Sequence, residues 1–513
     1  MAIHPPPGSL EKRNVITTSV VANEADVSLV TVYERKWKVL NEAMQSIGYG
    51  RYHRRLFVVS GFGWFIDSAL PLLAGLILTP IISEFDVKGA YLILAVNCGL
   101  LAGALSWGLA CDLTSRRWPF NMTLLISGVF TIAAGGSLNF TSLAVLLCFV
   151  GLGVGGNIPI DSALFLEFMP STSQHLLTLL ATFWILGQIF VTLVSWPLIS
   201  HFSDCSSGVP CARQDNMGWR YLLFTLGGFT LVLWCIRFFA FPLHENPRYL
   251  LSRGRDDEAV QVVRDIAKFN GVECALTVED LKALDKEHDG DHATTELAVW
   301  DMKEKAKYSM ERVKSLFMPI EMATSTVILI MIWSTMGLGT TLYNSFLPYL
   351  LASRGATFGD ASLSTAYRNQ IIITVSAIFS PFIASKAVET RFLGRRGTLA
   401  AFCALTGVFL LASTTARNSN ALLGWNCGYS FASNAMYGVL YAFTAEVFPT
   451  KCRGTGNGVV STFSRIFGVI APLIALHVNV TSGVPAYIGG GLTIFAGSLA
   501  LLVPYEPRGR EAI

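Results

Sequence analysis

The chain has 513 residues and a formal net charge of +3; it is 52% hydrophobic and only 14% charged, with a mean hydropathy of +0.50. Soluble globular domains carry roughly 25% charged residues, so this balance excludes an ordinary water-soluble fold and fits a chain matched to lipid. No Lys/Arg tract points to nucleic acid, and ten scattered cysteines without a Cys-x-x-Cys or Cys/His cluster offer no metal site, so neither cofactor nor metal is expected.

Residues 1–30 carry Pro5-Pro6-Pro7-Gly8 and a polar run, and disorder is expected there. Trp37, Leu40, Met44 and Ile47 recur at helical spacing and predict an amphipathic helix over Glu34–Ile47. About 55 polar residues precede the first apolar stretch, so no cleavable signal is expected and the first span itself directs insertion. Twelve apolar segments follow, near 56–82, 90–111, 119–137, 142–166, 175–200, 219–242, 322–351, 366–388, 397–414, 420–445, 456–478 and 484–504. Most are long enough to cross a bilayer as helices.

The expected fold class is therefore an all-α membrane protein with twelve transmembrane helices in two six-helix pseudo-symmetric bundles. The expected domains are a partly disordered cytoplasmic segment 1–55, a bundle 56–242, a central cytoplasmic loop 243–320, a second bundle 321–504 and a tail 505–513. The central loop should hold short helices near Asp256–Phe269 and Val278–Lys286. With the N-terminus inside, about 20 loop and flank Lys/Arg fall on the inner side and about 6 on the outer, which puts both termini and the central loop in the cytoplasm.

Asn139 and Asn479 head Asn-x-Thr sequons in expected outer loops and are candidate glycosylation sites. Cys205 and Cys211 fall in the expected outer loop between the fifth and sixth spans, where a disulfide is permitted; two free thiols are the alternative.

Short motifs recur between the halves. Asp112 with Arg116 and Arg117 follows the second span, and Glu389 with Arg395 and Arg396 follows the eighth. Glu167-Phe-Met-Pro ends the fourth span and Glu446-Val-Phe-Pro ends the tenth. The separations are 277 residues from Asp112 to Glu389 and 279 from Glu167 to Glu446. An internal duplication explains both. An acid and an arginine at such turns can form charge-assisted bonds that hold one conformation and break in another.

These residues resemble the major facilitator superfamily. Gly108-x-x-x-Asp112-x-x-Ser115-Arg116-Arg117 is similar to its signature between helices 2 and 3, with Ser115 where glycine is usual. Gly61-Phe62-Gly63-Trp64-Phe65-Ile66-Asp67, Gly151-Leu152-Gly153-Val154-Gly155-Gly156-Asn157, Gly218-Trp219-Arg220, Glu245-Asn246-Pro247-Arg248 and the segment from Ala445 to Gly454 resemble the sugar-porter-like branch with the synaptic vesicle protein-related transporters and their fungal relatives. The chain departs from that pattern at Leu70, where relatives often carry a second acid, and at Gln174, where an arginine is usual. The hexose transporters' paired glutamines are not found in helix 7.

Asp67 lies mid-span, where an ionised carboxylate costs roughly 3 kcal/mol on insertion scales. A chain that retains one usually turns it into a polar cavity and uses it. Asp161 lies within the fourth span, and Arg465 sits too deep in the eleventh to reach the interface; it is a candidate counter-charge for Asp67, Asp161 or an anionic substrate. Arg237, near the inner end of the sixth span, is expected to snorkel. Trp184, Gln188, Tyr343, Asn344 and Tyr441 are candidate pocket residues. Asp112, Arg116, Arg117, Glu167, Glu245, Arg248, Glu389, Arg395, Arg396, Glu446 and Arg453 are candidate cytoplasmic gating charges.

The expected function is secondary active transport of a small organic solute, an organic acid or other metabolite, by alternating access and with protons as coupling ion. The expected working form is a monomer in the lipid bilayer of the plasma membrane or an internal membrane such as the vacuole. The alternatives are a sugar transporter or an exporter of a secondary metabolite or drug; a sensor that does not transport is a different class. No catalytic constellation supports an enzyme.

Overall fold

A computed structural model describes residues 24–113, 116–170, 173, 176–203, 211–241, 243–251, 253–286, 313–314, 316–359, 362–390, 393–448 and 453–504. The N-terminal helix α1 (Glu24–Ile47) leads into α2 (Arg51–Leu76), which breaks at Ile77 and continues as α3 (Leu78–Phe85). Then come α4 (Ala90–Leu113), α5 (Arg117–Gly135), α6 (Phe140–Val154), α7 (Asn157–Phe168), α8 (Leu176–Phe202) and α9 (Gly218–Cys235). A π-helical turn, Ile236–Ala240, extends α9. Three shorter helices follow, α10 (Pro247–Leu251), α11 (Asp256–Asn270) and α12 (Val278–Lys286). The second half comprises α13 (Ile320–Asn344), α14 (Leu347–Thr357), α15 (Leu363–Ser376), α16 (Ser380–Glu389), α17 (Gly394–Ser413), α18 (Ser419–Val447), α19 (Arg453–Ala475) and α20 (Val484–Leu501).

The result is an all-α, multi-pass membrane fold. Among the described residues eleven spans are long and apolar enough to cross a membrane. The segment expected over 420–445 is helix α18, 29 residues and about 43 Å long. Its length suffices, but Asn426, Ser430, Ser433, Asn434 and Thr444 dilute its apolar character.

Helix pairing repeats between the halves. In the first, α2 packs on α8, α4 on α6, and α5 on both α6 and α9; in the second, α13 packs on α19, α16 on α18, and α17 on both α18 and α20. The two sets join through α4 against α19 and α8 against α15. The tightest approach uses small residues, as lipid-embedded helices do. A Cβ on Gly99 or Gly103 of α4 would meet the Cys148 or Leu152 carbonyl of α6 at 2.0 and 2.3 Å, and one on Gly151 would meet the Val96 carbonyl at 2.4 Å.

Three hydrogen bonds join the halves among the described residues, and all lie toward the end that carries Leu76 and Ser345. Tyr367 donates to the Leu76 carbonyl at 2.5 Å, Trp196 to Ser364 Oγ at 2.9 Å, and Lys88 to the Leu476 carbonyl at 3.5 Å. There the α2 backbone at Gly75 lies so close to the Ser345 carbonyl that a Cβ would approach it to 2.6 Å. This end of the bundle is shut.

At the opposite end α1 lies along α10, α11 and α12. Leu40, Met44 and Ile47 bury in one cluster with Val260, Val263 and Ile266. Lys36 pairs with Asp256 at 2.5 Å, and Asn270 Oδ1 accepts from the Tyr52 backbone at 2.9 Å. The helical spacing of α1 and the α11 and α12 segments read from the sequence are present, but α1 starts at Glu24, ten residues before the predicted Glu34 and inside the 1–30 stretch where disorder is expected.

Candidate substrate and coupling site

Asp67 sits about four turns into α2, 1% exposed. Its helix is held against α8 by close contact: Ser68 Oγ donates to the Trp184 carbonyl at 2.7 Å, and a Cβ on Gly187 would meet the Phe65 carbonyl at 2.3 Å. Neither Asp67 carboxylate oxygen has a hydrogen-bond partner among the described residues. Its charge faces Arg465 of α19, whose Nη2 lies 3.8 Å from Asp67 Oδ2. That separation is an ion pair without a hydrogen bond. The Arg465 side chain is 28% exposed, so the guanidinium keeps donors free at the seam between the halves.

Aromatic and hydroxyl groups of the second half surround this pair. Tyr437 and Tyr441 lie one turn apart on α18, both within electrostatic reach of Arg465. Trp333 of α13 meets Tyr441 edge-on at 4.8 Å between ring centroids and donates to Thr444 at 3.0 Å. Tyr437 bonds Thr340 at 2.7 Å. A site with an acid, a partly free guanidinium and aromatic walls suits a small polar solute with an apolar body.

The sequence-derived candidates divide. Asp67, Arg465 and Tyr441 come together. Trp184 and Gln188 lie one turn apart on α8, half-buried, and the Trp184 carbonyl anchors α2 beside Asp67. Tyr343 does not join them. Its hydroxyl donates to Asn426 at 2.8 Å in a packed cluster near the end of α13, and the neighbouring Asn344 accepts from Tyr429 at 2.8 Å. Tyr437 was missed, although its four-residue spacing from Tyr441 puts both on one face.

Asp161 is not a partner of Arg465. It bonds Arg237 Nη2 at 2.5 Å, with both side chains fully buried. Arg237 therefore does not snorkel: it lies in the π turn after α9, and that turn aims it inward over the Phe120 ring, 3.1 Å from the centroid. Periodicity could not reveal this, because a π turn displaces the helical phase by one residue.

The repeated charge boxes form the same pair twice. Arg116 bonds Glu167 in the first half. Arg395 donates to Glu446 at 2.7 Å in the second. Arg395 and Glu446 each lie 279 positions after Arg116 and Glu167. Arg396 donates to the Val503 carbonyl at 2.5 Å, Glu245 pairs with Arg255 at 3.6 Å, and Arg248 lies over Trp37. Arg117 is exposed. The side chains of Asp112, Glu389 and Arg453, and all of Cys205, lie outside the described residues. Cys211 is disulfide-bonded. Asn139 and Asn479 are exposed; Asn139 Oδ1 caps α6 by accepting from the Ser142 backbone at 2.8 Å.

Fold and apolar spans together define an all-α, multi-pass membrane protein. The chain matches the Sugar (and other) transporter family over residues 44–505 and belongs to that family within the major facilitator superfamily. It is 54% identical over 486 residues to MFS siderochrome iron transporter 1 of Ceriporiopsis subvermispora, covering 95% of this chain and 93% of that one. It is 35% identical to the major facilitator-type transporter hxnZ of Emericella nidulans, covering 99% of this chain and 93% of that one. A partially occluded inward-open structure of the xylose transporter XylE from E. coli superposes with a TM-score of 0.68 at 16% identity, covering 90% of this chain and 99% of that one. This last similarity carries the fold.

Proposed function

We propose that the protein is a proton-coupled secondary transporter that moves a small organic solute by alternating access between two six-helix halves. In this reading all twelve spans cross the membrane, α18 included, and the termini and central loop lie in the cytoplasm. The closed end then faces outward, so the structure is inward-facing. The observation that carries the reading is Asp67: a buried carboxylate with no hydrogen bond, opposite a partly exposed Arg465, at the seam that must open and close.

A proton on Asp67 removes its attraction for Arg465; a solute that neutralises Arg465 does the same from the other side. Either event loosens the contact between α2 and α19, and both together cost less than a lone buried charge. This is the physical basis for coupling. The free Arg465 donors favour a solute with an acidic or otherwise electron-rich group. Among the substrates weighed from the sequence, the names of the relatives stand nearer the sugar and secondary-metabolite alternatives than a simple organic acid. A secondary metabolite that carries an acidic group satisfies both the names and the site. The plasma membrane is the proposed location.

The test is transport in reconstituted vesicles with an imposed pH gradient, using the solute found by an uptake screen against a deletion background. Asp67→Asn should abolish proton-driven accumulation and retain at least part of the solute exchange. Accumulation that persists unchanged across pH in the variant refutes the coupling role. Binding of the solute without flux in the unaltered protein refutes the transporter reading.

A further inference from the structure

The buried polar atoms around α2 and α7 do not stop at Asp67. The two helices pack against each other and run antiparallel, since His53 meets the Phe168 carbonyl at 3.0 Å while Gly63, further along α2, meets the earlier Asp161. Gly63, one turn before Asp67, meets Asp161 directly: a Cβ there would lie 1.7 Å from Asp161 Oδ2. Because the helices are antiparallel, Asn157, one turn before Asp161, comes level with Asp67. Ser60 continues the same α2 face in the other direction.

Each of these groups is buried and incompletely bonded. Asn157 is 0% exposed and neither its amide nitrogen nor its oxygen has a partner among the described residues. The same holds for Ser60 Oγ, Asp161 Oδ2, Arg237 Nε and Nη1, and both oxygens of Asp67. At the end of α7, Glu167 Oε1 is bonded to Arg116, and Asn246 and Arg248 also act on the carboxylate. From Asn157 to Glu167 is ten residues, about 15 Å of helix. Buried polar groups in native proteins are almost always bonded, and clusters of them hold ordered water. Here donors (Asn157, Ser60, Arg237) and acceptors (Asp67, Asp161, Asn157) are interleaved. An anion or a metal ion would satisfy one set and repel the other; water satisfies both.

We propose that Asn157, Asp161, Ser60 and Arg237 enclose a short water chain that carries the coupling proton from Asp67 to Asp161 and on towards Glu167. This rests on the proton-coupled reading of Asp67 and adds its route. In the first transfer an O–H bond on Asp67 breaks and one on Asp161 Oδ2 forms through the intervening water. Asp67 is left as a carboxylate facing Arg465, and Arg237 stays a cation beside the neutral acid. In the second, Asp161 returns the proton to water on the Glu167 side and regains its pair with Arg237. The charged groups acting on Asp161 are Arg237 from the π turn and Asp67 from α2; the one acting on Asp67 is Arg465 from α19, with the neutral Tyr441 phenol of α18 nearby. Asn157 and Ser60 are positioning residues for the water.

The test needs no solute. The full-length protein in lipid nanodiscs is titrated with protons, and the carboxylic acid C=O stretch is followed by infrared difference spectroscopy. The expected result is two interacting carboxyl groups: Asp67→Asn and Asp161→Asn each remove one signal and shift the midpoint of the other. Asn157→Leu keeps both carboxyls, Arg237 and the direct charge–charge coupling between the acids, but should remove the water-borne part, so that the mutual shift shrinks and both midpoints move. If Asp161 stays ionised throughout the titration, or if Asn157→Leu leaves the pair of midpoints as in the unaltered protein, the relay is refuted while Asp67 keeps its role. Should Asp161→Asn fail to fold, the Asn157→Leu comparison decides alone. If no signal is lost in Asp67→Asn, the proton-coupled reading itself falls.

Discussion

Gly63→Ala is the most economical probe of the buried centre. The added methyl would lie 1.7 Å from Asp161 Oδ2 and 2.8 Å from its carboxyl carbon. Carbon and oxygen need more than 3 Å, so the carboxylate must retreat by about 1.5 Å or α2 must move away from α7. Retreat breaks the 2.5 Å bond to Arg237, which is itself fully buried. Breaking a buried pair costs about 3–5 kcal/mol, and forcing the helices apart costs about 1–3 kcal/mol in lost packing. The smaller figure bounds the effect, because the molecule takes the cheaper path. Gly228→Ala is the control: no atom outside its own helix lies within 4 Å of the new methyl, and alanine favours a helix. Thermal unfolding in lipid nanodiscs should show Gly63→Ala clearly destabilised and Gly228→Ala unchanged or slightly stabilised. Equal stability of the two variants would refute the claim that Asp161 fills the space above Gly63.

Two further expectations follow from the charged contacts. Glu84 Oε1 and Oε2 accept from Arg220 at 2.7 and 3.0 Å, and Oε2 also accepts from Trp219 and Asn216 at 2.9 and 3.0 Å. Glu84→Gln leaves Arg220, 1% exposed, facing a neutral amide, and should cost about 3 kcal/mol in unfolding measurements. A loss of under 1 kcal/mol would refute that account. The Arg395–Glu446 pair is partly exposed, 26% and 34%. A double-mutant cycle should give a coupling of only about 0.2–1 kcal/mol in stability. The two charge-removing variants should nevertheless shift the balance between inward- and outward-facing forms, as read by cysteine accessibility on either side. An unmoved balance would assign the pair to topology alone.

Much of the molecule was readable from residue order because each signal was local. Apolar run length marks a spanning helix whatever packs beside it: the first and seventh spans, broken at Ile77 and at Ser345–Phe346, cover the expected segments 56–82 and 322–351 and extend a few residues beyond each end. The charge boxes announced a repeat through spacing alone, and the arginine and glutamate that pair in each half were both among those residues. The position of Asp67 within a lipid-length run was enough to single it out, since burial cost depends on depth along the helix.

What the order of residues left open was every choice of partner. Arg465 had two candidate carboxylates and Arg237 was expected to snorkel; only the tertiary structure decides that Arg465 reaches from α19 to Asp67 and that the π turn gives Arg237 to Asp161. Tyr343 looked like a pocket aromatic, but the contact of α13 with α18 commits its hydroxyl to Asn426. Depth and periodicity are properties of one helix and are written in its own residues. Pairing depends on how helices from distant parts of the chain rotate and approach, and a shift of one residue, such as a π turn makes, redirects a side chain by about 100°.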